Sequence, residues 1–162
     1  MQAVTLCFLR RAEEVLLIEK QRGLGAGLVN GPGGKVEAGE SPRECAAREV
    51  REEVGLEVPP QSLEKAGLLE FELDGEVHSE CHVFRGDSFD GTVRESPEAR
   101  PIWTPIEAVP YDRMWPDDRL WLPPVLSGVT VSGSFAFEGG TPLDEAELIS
   151  HTLETGVDAG GL

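Results

Sequence analysis

The chain has 162 residues, 40% of them hydrophobic, which is enough apolar material for one domain with a core of its own. Thirty acidic side chains against fourteen basic ones give a net charge of -16, the wrong sign for a face that grips a nucleic acid polymer through its phosphates. No apolar run is long enough to span a bilayer and no leader pattern is present, so the sequence reads as a cytoplasmic protein without a membrane partner.

Taken in chain order, Val4–Leu9 and Val15–Ile18 alternate as strands do. A glycine-rich run, Arg22-Gly-Leu-Gly-Ala-Gly-Leu-Val-Asn30, leads into Asn30-Gly-Pro-Gly-Gly34, where the backbone can approach a ligand closely and Lys35 adds a positive charge. Ser41-Pro42-Arg43-Glu44 is a capping box with proline at the first helical position, which starts a helix at Pro42 that runs to Gly55. On that helix Ala47, Val50 and Val54 form the core stripe, and Glu49, Glu52 and Glu53 crowd another patch. Packed carboxylates raise one another's pKa, and their hard oxygens suit Mg²⁺, with Mn²⁺ as a substitute.

Lys65–Leu73 and Val77–Phe84 read as strands joined at a hairpin signal, Asp74-Gly75. Asp118–Leu126 has a helical pattern interrupted by Pro123-Pro124, Ser134–Phe137 alternates as a strand, and Leu143–Leu153 carries a weaker helical pattern. The domain is expected over 1–155, with the tail 156–162 disordered. Cys7, Cys45 and Cys81 lack metal or redox spacing and read as reduced, packed thiols; His78, His82 and His151 receive no role.

Gly34, Glu40, Arg48, Glu49, Val50, Glu52, Glu53, Gly55 and Leu56 fill every specified place of the pattern G-x5-E-x7-R-E-U-x-E-E-x-G-U, with U aliphatic. The segment therefore resembles the Nudix box, and three further stretches, Arg22–Asn30, Glu95–Pro101 and Met114–Asp118, are similar to the oxidised purine nucleoside triphosphatase branch of that family. The resemblance implies an α+β fold, a mixed β-sheet sandwiched between helices, and hydrolysis of a diphosphate linked to another moiety. It implies that Glu49, Glu52 and Glu53 hold a divalent cation with the Gly33 carbonyl and Glu98, that Arg48 orients the carboxylates, and that Glu52 or Glu53 is the general base. It places nucleotide contacts on Thr5, Lys20, Asn30, Gly33, Gly34, Lys35, Trp115, Asp117 and Asp118.

The residue chemistry fits that placement. Asn30 offers a donor and an acceptor, Asp117 and Asp118 can share one proton in a shielded pocket, and Trp115 and Phe71 are flat surfaces for a base. The plainer alternatives are a helix cap at Asp117, a turn at Asn30, core packing for Trp115 and Phe71, and a solvated Glu98. Leu24 stands where animal members of the branch carry an aromatic residue. The expected activity is Mg²⁺-dependent conversion of oxidised purine triphosphates, 8-oxo-dGTP or 2-hydroxy-dATP, to monophosphate and pyrophosphate by a monomer. The alternatives are another nucleoside diphosphate compound (ADP-ribose, a dinucleoside polyphosphate, an ordinary triphosphate) and a catalytically silent nucleotide sensor.

Overall fold

The computed structural model describes residues 1–139 and 146–162. Its strands are β1 (Gln2–Arg11), β2 (Glu14–Lys20), β3 (Val29–Asn30), β4 (Glu64–Leu73), β5 (Glu76–Gly86), β6 (Ala99–Pro105), β7 (Val131–Glu138) and β8 (Glu147–Thr155), with helices α1 (Pro42–Val54) and α2 (Asp118–Leu126). The strands form one mixed sheet in the order β3-β2-β1-β5-β4-β7-β8, with β6 pairing to β2.

The middle strand, β1, decides where a site can form. Its first part, Gln2 to Leu9, runs parallel to β5, while its end, Arg10 and Arg11, turns antiparallel onto β2. The edge of β1 left open by that turn is taken by the glycine loop: Thr5 N–H donates to Gly34 O at 2.8 Å, Cys7 N–H to Pro32 O at 2.8 Å, and Val36 N–H to Ala3 O at 3.0 Å. Only glycine fits there, because a Cβ on Gly33 would lie 1.9 Å from the Thr5 carbonyl oxygen.

Both helices bury apolar faces on opposite sides of the sheet. In α1 the capping box forms as the sequence expects, Gly55 closes the helix at φ 79°, and Cys45, Ala46, Ala47, Val50 and Val54 are buried. Ala46, Ala47, Val50 and Val54 pack with Cys7, Leu9, Leu16, Leu56 and Phe84. On the other face Trp121, Leu122, Val125 and Leu126 of α2 pack with Phe8, Leu69, Val83 and Phe135. The expected α+β fold, a sheet sandwiched between helices, is the observed one.

Three elements differ from the expectations. The helix α2 continues through Pro123 and Pro124 instead of breaking there; its buried face offsets the amide bonds that the prolines remove. The helical pattern at Leu143–Leu153 is instead β8, antiparallel to β7, with residues 143–145 outside the described set. A register shift at Ala136/Phe137 lets both Leu148 and Leu153 pack on the core although they sit at opposite strand parities, so their spacing does not read as alternation. The third is β6, which carries Pro101 and Pro105 and yet pairs along β2; no described strand lies on its other side, where proline is tolerated.

In the tail, expected to be disordered, Gly156 N–H donates to Thr130 O at 2.8 Å and Asp158 caps a 3-10 turn at Ala159–Gly161. All three cysteines are free and buried. Among the described residues no helix is long and apolar enough to cross a membrane.

Candidate active site

The α1 carboxylates are organised by one guanidinium. Arg48 donates from Nε to Glu40 Oε2 at 2.6 Å, from Nη2 to Glu40 Oε1 at 2.9 Å, from Nη1 to Glu49 Oε1 at 2.9 Å and to Glu52 Oε2 at 3.2 Å, and from Nη2 to the Lys35 carbonyl at 3.1 Å. Its fork therefore ties the end of the glycine loop to three glutamates. That pairing holds the Glu40 carboxyl down at about 2.

Glu53 lies on the other side of this network and is in a different electrostatic state. Its Oε2 is buried with no hydrogen-bond partner among the described residues. Burial, and then the charge of Glu49, push its carboxyl up to about 8, against the opposing Gly33 amide and Lys20 ammonium. Burial also raises Glu49, with Arg48 opposing. Above them a Cβ on Gly34 would fall 2.5 Å from the Glu49 carboxyl, so the space over that carboxylate exists only because position 34 is glycine.

An orphaned carboxylate oxygen beside a second glutamate, roofed by a bare backbone, is a donor set of hard oxygens that fits a divalent cation. Among the described residues no three His, Cys, Asp or Glu side chains converge as a ready-made ligand set. Glu49 and Glu52 are turned to Arg48 instead.

A cavity of about 410 Å³ opens from Glu53 across the sheet to the start of α2. Thr5, Lys20, Asn30, Gly33, Gly34, Phe71, Glu98, Trp115, Asp117 and Asp118 all line it, as does Leu24. Asn30 reaches the wall from β3, where it pairs with Ile18, so it is a strand residue and not a turn former. Thr5 is buried and its hydroxyl is spent on the loop, donating to Gly34 O at 3.4 Å and lying 3.3 Å from Cys45 Sγ. Phe71 is wall and core at once, stacked on Phe135 with ring centroids 5.8 Å apart.

Asp117 and Asp118 are 3% and 4% exposed, too deep for surface caps. Asp117 sits at the N-cap position of α2 and makes no side-chain cap. Its Oδ2 accepts from Trp121 Nε1 at 2.7 Å, and Asp118 Oδ2 accepts from the Trp115 amide at 3.1 Å. Burial raises both carboxyls, Asp118 further because Asp117 stands beside it, while Trp121 opposes the rise at Asp117. Two adjacent buried carboxyls that both resist ionisation favour a state in which at least one keeps its proton.

The structure does not bring every expected residue to the cavity. Lys35 is exposed and off the wall, and Glu49 and Glu52 are off it as well. Glu98 is on the wall, with its carboxylate paired to Arg22. Conversely Leu6, Glu72, His78, Ser79, Cys81, Trp121 and Phe137 line the cavity without having been expected there. Parity with Phe71, which faces Ser79 in register, gives Ser79 and Cys81 away. His78 joins them through the register shift between Phe71 and Glu72, which no alternation reveals.

A mixed sheet between helices, a glycine loop laid on β1 and a glutamate-bearing helix beneath a pocket define a Nudix hydrolase. Residues 1–124 match the NUDIX domain, and the chain belongs to that family. It is 42% identical over 146 residues to an oxidized purine nucleoside triphosphate hydrolase of Danio rerio, covering 90% of this chain and 92% of the relative. It is 39% identical over 150 residues to the protein of the same name from Mus musculus, covering 92% of each. Among solved structures, a MutT protein from Bacillus halodurans superposes with a TM-score of 0.79 at 28% identity, covering 95% of this chain and 98% of that one.

Proposed function

We propose that this Nudix hydrolase converts oxidised purine nucleoside triphosphates to monophosphate and pyrophosphate, acting as a cytoplasmic monomer with Mg²⁺, for which Mn²⁺ substitutes. The observation that carries the substrate is the buried Asp117–Asp118 pair, both carboxyls raised by burial, on one cavity with Asn30 and Trp115. One protonated and one ionised carboxyl present a donor and an acceptor, and moving the proton exchanges them, so the pair accepts oxidised purines of different tautomeric form. Asn30 adds an amide edge and Trp115 a stacking face. Relatives from Danio rerio and Mus musculus named as oxidized purine nucleoside triphosphate hydrolases support the same reading.

At the other end of the cavity, Glu49, Glu52 and Glu53, with the Gly33 carbonyl and Glu98, would hold the cation. When bound it neutralises the polyphosphate and acidifies water. The remaining work falls to the chain. Lys20 offsets phosphate charge, and Gly33 and Gly34 let the phosphates come against the backbone. Arg48 keeps Glu49 and Glu52 aligned. Glu53, in the ionised form that the cation would favour, takes the proton from the attacking water as the phosphoanhydride bond breaks. Lys35, off the cavity wall, has no part in this reading.

Asn30→Ala tests the base assignment. Its kcat/KM should fall further on 8-oxo-dGTP and 2-hydroxy-dATP than on dCTP and dTTP; an equal fall on all four removes Asn30 from the base.

A further inference from the structure

The loop at 21–28 joins β2 to β3 and carries a pocket wall. Gly23, Gly25 and Gly27 have φ of 81°, 79° and 91°, Leu24 lines the cavity, and a Cβ on Gly25 would come within 3.1 Å of the Trp115 ring. At its foot the loop is tied to the segment before β6: Gln21 N–H donates to Glu98 O at 2.9 Å and Gln21 Nε2 to Ser96 O at 2.7 Å. The next residue makes the one charged tie. Arg22 Nε donates to Glu98 Oε1 at 2.8 Å, and Nη2 reaches the same oxygen.

Two features make this pair unlike the Arg48 network. Both Arg22 donors converge on Oε1, so Glu98 Oε2 has no partner among the described residues while Glu98 lines the cavity with Lys20 and Glu53. The side chains are 63% and 51% exposed, against 15% for Arg48, so the pair is weak and open to exchange. A divalent cation can engage Oε2 first and displace the guanidinium afterwards.

We propose that Arg22 is the exchangeable counter-ion of Glu98, holding that carboxylate in the metal-free protein and giving it up to the divalent cation, so that cation binding removes the charged tie on the loop that walls the base pocket. The inference rests on Glu98 being a cation ligand, as read above. Arg22 is a positioning residue in this scheme: it acts on the cation through Glu98 and on the nucleotide through the loop it anchors.

Mn²⁺ binding to the nucleotide-free protein, followed by titration calorimetry or Mn²⁺ EPR, tests it through a double-mutant cycle. Arg22→Ala should tighten Mn²⁺ binding roughly two- to fivefold, the worth of an exposed ion pair, and Arg22→Lys should lie between Arg22→Ala and wild type. Glu98→Gln should weaken binding, and in that background Arg22→Ala should change nothing. Equal tightening in both backgrounds would mean that Arg22 acts only as a general positive charge, and the exchange falls. If Glu98→Gln weakens binding while Arg22→Ala is silent, the exchange falls and the Glu98 ligand survives. If neither substitution alters Mn²⁺ affinity, Glu98 is no ligand and both readings fall together.

Discussion

Glu53→Gln should leave a protein that is nearly inactive and, without metal, more stable than wild type at alkaline pH. The Glu53 carboxyl is carried from an ordinary 4.5 to about 8, first by burial and then by Glu49. Ionising it in the folded, metal-free protein therefore costs about 5 kcal/mol at full effect, an upper figure because Glu49 relaxes with it. The folded state binds the proton more tightly than the unfolded chain. The stability this supplies is present below about 4.5 and is lost as pH rises through about 8.

In EDTA the wild-type Tm should accordingly fall between those limits, while Glu53→Gln, uncharged throughout, should follow a flatter line and lie above wild type at the alkaline end. Saturating Mg²⁺ should remove most of the wild-type slope by binding the ionised form. Turnover should drop by roughly 10²- to 10⁴-fold, the worth of a general base. Thermal unfolding by circular dichroism and pyrophosphate release, measured on the same preparations, check both halves. A Glu53→Gln protein with near-normal kcat, or with the wild-type pH slope in EDTA, would refute the reasoning.

Three further outcomes follow from other parts of the site. Asp118→Asn should stay folded and lose roughly ten- to a hundredfold in kcat/KM on oxidised purines, the worth of hydrogen bonds to a charged group, with a smaller loss on pyrimidine triphosphates. Because burial raises both carboxyls, affinity for a non-hydrolysable oxidised purine analogue should weaken as pH climbs and strips the pair's proton, and Asp118→Asn should lack that alkaline fall. Gly33→Ala drives a Cβ to 1.9 Å from the Thr5 carbonyl and must lift the loop from β1; urea unfolding should show a loss of about 1–3 kcal/mol, whereas an unchanged midpoint would mean that the loop has room to move.

The parts of the molecule that the sequence discloses are those set by local chemistry. Ser41, Pro42, Glu44 and Gly55 bound α1 because capping is a matter of neighbouring residues, and Glu49, Glu52 and Glu53 share a patch because helical spacing puts them there. What depends on partners far along the chain is less open. Pro101 and Pro105 argue against a strand and are accommodated only because β6 pairs on one side. Bulges set Leu148, Leu153 and His78 off alternation. Asn30, Trp115 and Asp118 come from different parts of the chain, and family resemblance, not periodicity, is what joins them on one cavity. The Arg22–Glu98 tie has no signal in spacing at all, since the two residues meet only where β2 and β6 end side by side.

The most direct test of the whole account is pyrophosphate release with Mg²⁺ across 8-oxo-dGTP, 2-hydroxy-dATP, dGTP, dATP, dCTP and dTTP, with ADP-ribose and a dinucleoside polyphosphate followed through their own products. A marked kcat/KM preference for the two oxidised purines is the expected result. Equal rates across the six triphosphates, or turnover only of the diphosphate-linked compounds, would contradict the substrate assignment and leave Asn30, Asp117 and Asp118 without a base to read.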